Sequence, residues 1–196
     1  MAAVAVLAVT LSGGAAHAHD FVEGAGFLNG LLHPLLAPAH ALCLLAFGLM
    51  TGQHKMAHRI VLTMAFAAAL TAGILMIMFA AFSVDAAPMI LLASGAAAGL
   101  LTALAQPLPV ILPAAILATG GLALIFDSVP SVVSKLDTVL ALAGTALGAT
   151  LAVGLVAYAA GCLTRDWQRI GVRIAGSWTA ASALLVLALW LVRSAE

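Results

Sequence analysis

The sequence predicts an all-α integral membrane protein, a cleavable signal peptide followed by a bundle of six transmembrane helices. Three observations predict it. Of 196 residues, 65% are hydrophobic and only 7% charged, against about 25% charged in a soluble domain. The charges fall in short clusters, separated by uncharged apolar runs long enough to cross a bilayer. Those runs are continuous and not alternating, which excludes a β-barrel. Seven Lys and Arg balance seven Asp and Glu, so there is no concentrated basic surface for nucleic acid. The cysteines, Cys43 and Cys162, lie far apart and outside any CxxC or Cys/His cluster, which argues against a disulfide framework or zinc finger. A Gly-rich phosphate loop, a GxSxG elbow and an HExxH motif are all missing, so the chain does not read as an enzyme.

The elements follow in order. Ala2–Leu11 is a short apolar run, and Ala16-His17-Ala18 after it is an A-x-A site. Residues 1–18 therefore read as a secretory signal peptide, although no Lys or Arg precedes the apolar run. Cleavage after Ala18 leaves His19-Asp20 at a free extracytoplasmic N-terminus. Six spans then fit in residues 19–196, at about 24–52, 60–83, 86–106, 108–126, 138–163 and 172–192. The third and fourth come from one uncharged stretch, Ala86–Phe126, divided by Gln106-Pro107-Leu108-Pro109, where two prolines end one helix and start the next. With the mature N-terminus outside, Lys55, Arg59, Arg165, Arg169 and Arg173 are cytoplasmic and only Lys135 and Arg193 are not. Both mature termini then lie on the outer side.

Small residues recur four apart at Gly26/Gly30, Gly95/Gly99 and Gly144/Gly148, a spacing that lets helix backbones approach closely in lipid. Trp167, Trp178 and Trp190 read in part as interfacial anchors. Met64, Met76 and Met78 read as gap-filling core side chains.

The first span carries the chemistry. His33 and His40 are seven residues apart, two helical turns with about 20° of drift, and so share a face. On a straight helix starting at Gly26 they would lie roughly 10 Å and 20 Å below its outer end. Pro34 and Pro38 flank the interval between them, and each removes a backbone hydrogen bond and bends the axis. Asn29 adds a polar group one turn before His33. An ionisable side chain at such depth is a functional candidate, and two imidazoles on one face suit nickel, cobalt, zinc or copper. The alternative is that each histidine simply bonds a neighbouring helix. Cys43, three residues past His40, is either a soft ligand or a small buried apolar residue.

This segment resembles the HupE/UreJ family of membrane permeases for nickel or cobalt, which are associated with hydrogenase and urease maturation. The family pattern GFxxGxxHPxxGxDHxxxM, with a following Gly and Gln, is matched by Gly26, Phe27, Gly30, His33, Pro34, His40, Gly48 and Gln53. The match covers about 35 residues, and the six-span topology agrees over the whole chain. The pattern's Gly and Asp are replaced by Ala37 and Ala39, its Met by Leu44, and no histidine follows His58. A second family motif, FHGxAHGxE, has as its nearest counterpart the stretch from Ala118 to Asp127, which lacks histidine.

The resemblance implies a permease in the bacterial inner membrane, with nickel or cobalt as substrate and no permanently bound cofactor. Urease or hydrogenase maturation proteins are the implied partners besides lipid and metal. Asp127, at the outer end of the fourth span, is placed to complete a metal site with His33, and is otherwise a solvated helix-end carboxylate. His19, with its free amine, and Asp20 form a chelate able to capture metal outside. The missing Asp, Met and second motif leave open a different class, a non-transporting structural or assembly subunit of a membrane complex.

Overall fold

The computed structural model describes residues 26–80, 84–106, 109–130 and 134–194. The signal peptide, His19 and Asp20 lie outside the described residues. Those described form seven helices and no strand: α1 (Gly26–Leu36), α2 (Pro38–Gly52), α3 (Met56–Ala80), α4 (Ala87–Leu104), α5 (Ile111–Asp127), α6 (Lys135–Cys162) and α7 (Asp166–Ser194). Four of them, α3, α4, α6 and α7, are long and apolar enough to cross a membrane, and α1 with α2 makes a fifth if the bent pair is one span. At 17 residues α5 is shorter, about 25 Å by helical rise.

The expected kinked span is two helices, meeting at 73°. Pro38 causes the break. It has no N–H to donate to the Pro34 carbonyl, and it disfavours helical geometry at the residue before it. Ala37 is accordingly extended, at φ −76° and ψ 113°. The flanking bonds, Ala37 N–H to the His33 carbonyl and Ala41 N–H to the Ala37 carbonyl, are both kept at 2.9 Å. Pro34 lies within α1 and also lacks an N–H, leaving the Gly30 carbonyl without its helical donor. The Thr145 hydroxyl of α6 fills that vacancy at 3.1 Å.

The small-residue pairs are where the helices touch. A Cβ at Gly30 would collide with the Ala141 backbone, and one at Gly144 or Gly148 with the backbones of Phe27 and Leu31. The first and last of the three predicted pairs thus face each other across α1 and α6. Gly99 and Gly176 do the same for α4 and α7, while Gly95 receives Cys43 from α2. Because Gly30 opposes main chain that cannot rotate away, Gly30→Ala is expected to cost about 1–3 kcal/mol by overpacking, read as a lower melting temperature in detergent.

Between these seams α2 is the central element. Cys43, Leu44, Phe47 and Met50 are almost fully buried, with Phe66 and Leu70 of α3, Leu91 of α4 and Leu124 of α5. Phe47 packs on Phe66 with ring centroids 5.8 Å apart, and it fills the space above Gly120.

Two expectations change. Met64, Met76 and Met78 are 63%, 40% and 37% exposed, so they face outward from α3 and are not core fillers. The predicted last span begins at 172, but α7 starts at Asp166. Arg169 and Arg173 end the apolar run without ending the helix, because a solvated arginine is a good helix former.

Candidate metal site at the bend

Two independent packing arrangements meet at His40. It is the third residue of α2 and is 3% exposed. Helix α5 runs antiparallel to α2: Phe47 lies over Gly120, and seven residues away along each helix His40 meets Asp127, the last residue of α5. His40 Nε2 and Asp127 Oδ2 are 2.7 Å apart, with the Asp127 side chain 27% exposed. The carboxylate therefore approaches His40, and not His33 as the sequence reading paired it.

His33 reaches the same place from the other side of the break. Its ring centroid is 5.1 Å from that of His40, edge to face at 83°. On a straight helix a seven-residue separation is a rise of about 10.5 Å. The bend halves that distance by folding the end of α1 over the start of α2. The expected depths of roughly 10 Å and 20 Å assume a straight axis, whereas the two ring centroids are only 5.1 Å apart. Reckoned from Gly52 at the opposite end of α2, His40 lies about 18 Å along the axis.

The hydrogen bonding fixes what His40 can do. A carboxylate only accepts, so Nε2 carries the proton that points at Asp127. Nδ1 is buried and finds no hydrogen-bond partner among the described residues. In the neutral ring that nitrogen is a lone-pair donor to a metal. An oriented imidazole backed by a carboxylate is the arrangement that fixes a metal-ligating histidine. A buried polar atom left unpaired costs free energy, which a ligand at Nδ1 would recover.

The remaining candidates have other occupations. The Cys43 thiol donates to the Leu91 carbonyl at 3.5 Å. Asp137 lies in the first turn of α6, which Ser134 caps: the Asp137 N–H donates to the Ser134 hydroxyl, and that hydroxyl donates to Asp137 Oδ2 at 2.6 Å. Asp85 is exposed in the α3–α4 connection. His54 Nδ1 lies 3.2 Å from the Met50 carbonyl, and His58 is exposed. Among the described residues, no group of three or more His, Cys, Asp or Glu side chains is arranged to hold a metal ion.

The opposite end of the bundle carries a second polar feature that the sequence reading missed. A cavity of about 370 Å³ is lined by Gln53, His54, Arg59, Gln106, Arg169 and Arg173, among others. Its residues are separated in sequence by up to 121 positions, and only the clustering of five cationic residues in two loops hints at it.

No curated protein and no solved structure matches the chain. A model of the family described as HupE / UreJ protein matches residues 7–186, a region that contains both histidines of the bend, Asp127 and the basic cavity, and the chain therefore belongs to the HupE / UreJ family.

Proposed function

We propose that the protein is a permease for a divalent transition metal ion, nickel or cobalt, and that His33 and His40 are the ligands the ion visits on its way through. Six crossings serve this role, with α1 and α2 as one broken span and α5 as a short one. The end bearing Lys55, Arg59, Arg165, Arg169 and Arg173 faces the cytoplasm of a bacterial inner membrane, so the bend lies toward the outer side. His19 and Asp20 gather metal there, through the terminal amine and imidazole.

The observation that carries this reading is the His40–Asp127 hydrogen bond, with no partner for His40 Nδ1 among the described residues and the His33 ring 5.1 Å away. Two imidazoles suit a borderline dication. Asp127 acts from behind the ring: it holds the tautomer that leaves Nδ1 open, and its charge offsets part of the cost of bringing a dication out of water. Fewer than three protein ligands leave several waters on the ion, which favours passage over retention. Maturation proteins of urease or hydrogenase are the consumers on the cytoplasmic side.

Metal accumulation in cells tests the reading. The His33→Ala/His40→Ala double variant is expected to fall to the level of cells lacking the protein, and wild-type uptake by that variant would remove it. A second reading, a structural or assembly subunit without transport, is favoured by the absence of a three-donor group among the described residues. Purification in mild detergent separates the two. A stoichiometric protein partner with no bound metal supports the subunit, and a partner-free protein that binds nickel or cobalt supports the permease.

A further inference from the structure

We infer that the basic cavity at the Gln53 end is a binding site for a phosphate-type oxyanion, a function separate from the histidine pair and independent of metal passage. Three guanidiniums, Arg59, Arg169 and Arg173, line it from α3 and α7, together with the side chains of Gln53, His54 and Gln106. Among the described residues no Asp or Glu lines it, and the ion pairs seen there include none of these arginines.

Two of the arginines also have structural work. Arg59 Nε donates to the His54 carbonyl at 2.6 Å, and a second Arg59 nitrogen donates to the Gly161 carbonyl at 3.4 Å. Arg173 Nε donates to the Ala103 carbonyl at 2.9 Å. These bonds cap the ends of α4 and α6, as cations commonly do at helix C-termini. Capping does not exhaust them, because a guanidinium has five N–H donors. The bonds instead fix the direction of the forks. Gly161 fits the same purpose, since a Cβ there would collide with the Arg59 guanidinium.

Charge decides the class of ligand. The C-terminal ends of α2, α4 and α6 gather here and contribute about −0.5 each, and the starts of α3 and α7 about +0.5 each. Against three guanidiniums a net of about +2.5 remains. A metal dication gains nothing in such a chamber, whereas an oxyanion gains several charge-assisted hydrogen bonds. The cavity's volume of about 370 Å³ is ample for a phosphate group. That phosphate can belong to an anionic lipid headgroup, for which basic pockets between transmembrane helices are suited, or to free phosphate.

Titration of the purified full-length protein distinguishes these. The probes are short-chain phosphatidylglycerol, short-chain phosphatidylcholine and inorganic phosphate, at ionic strength held constant with chloride, with melting temperature as the readout. Phosphatidylglycerol is expected to raise it saturably and phosphatidylcholine not to. A matching rise with inorganic phosphate alone assigns the site to the free ion. Arg169→Gln, an exposed position with no capping bond, is expected to weaken the apparent affinity roughly tenfold, and Arg169→Gln/Arg173→Gln to abolish the effect. No rise with either anionic probe, an equal rise with phosphatidylcholine, or unchanged affinity in both variants would overturn the inference.

Discussion

Asp127→Ala is expected to lower nickel or cobalt accumulation roughly tenfold to a hundredfold, the usual effect of losing the partner behind a metal-bound histidine. The loss arises in two ways. Without the carboxylate, the ring loses the acceptor that fixes its orientation and the tautomer with its proton on Nε2, so His40 presents the Nδ1 lone pair less firmly. The negative charge that offsets the ion's desolvation also goes. The same change leaves a buried Nε2–H without its acceptor, at a cost of about 1–3 kcal/mol, so melting temperature must be recorded beside uptake. Asp127→Asn separates the contributions: its side-chain carbonyl still accepts from Nε2–H, keeping the tautomer while removing the charge. Uptake between that of wild type and Asp127→Ala is expected for it. Wild-type accumulation in both variants would show that the 2.7 Å contact merely ties α2 to α5.

The fold was legible because lipid imposes simple rules on a chain. Continuous apolar runs punctuated by charge give helices and their approximate limits, and Pro109 marks the turn between α4 and α5. Gly30 and Gly144 were legible as contact points, because close approach in lipid needs small residues at four-residue spacing. What stayed hidden depended on three-dimensional detail that spacing does not encode. The Met64 side chain points outward, and an apolar residue on a membrane helix reads the same whether it faces protein or lipid. The helix continues through Arg169 and Arg173, because charge limits a span and not a helix.

At the bend, the spacing of the two histidines predicts that they lie together, and they do, but not for the reason the spacing gives. Seven residues put them on one face of a straight helix, yet Pro38 breaks the helix between them, and it is the break that brings the rings to 5.1 Å. Asp127 is expected beside His33 from its place at the outer end of the fourth span, but its contact is with His40. Once α1 folds over, His40 is the residue level with the end of α5. The basic cavity joins Arg59 to Arg169 and Arg173 across more than 100 positions, through the contact of Arg59 with Gly161 of α6 and the pairing of α4 with α7 at Gly99 and Gly176.

If the break is the device, repairing it should disable the protein without weakening it. Pro38→Ala supplies an N–H able to bond the Pro34 carbonyl and frees Ala37 to become helical. A continuous helix would then carry the rings toward the rise of about 10.5 Å that seven residues imply, too far for both to bind one ion without spanning waters. Accumulation is expected to fall toward that of His33→Ala. Melting temperature should change little, because Pro38 occupies the first turn of α2, where a proline is tolerated. Pro34→Ala is the internal control. Pro34 lies within the continuous α1, and the carbonyl it leaves free is already satisfied by Thr145, so its replacement should leave both uptake and the bend nearly intact. Normal uptake in Pro38→Ala with loss in Pro34→Ala would reverse the assignment and place the working constraint inside α1, against Thr145, instead of at the break.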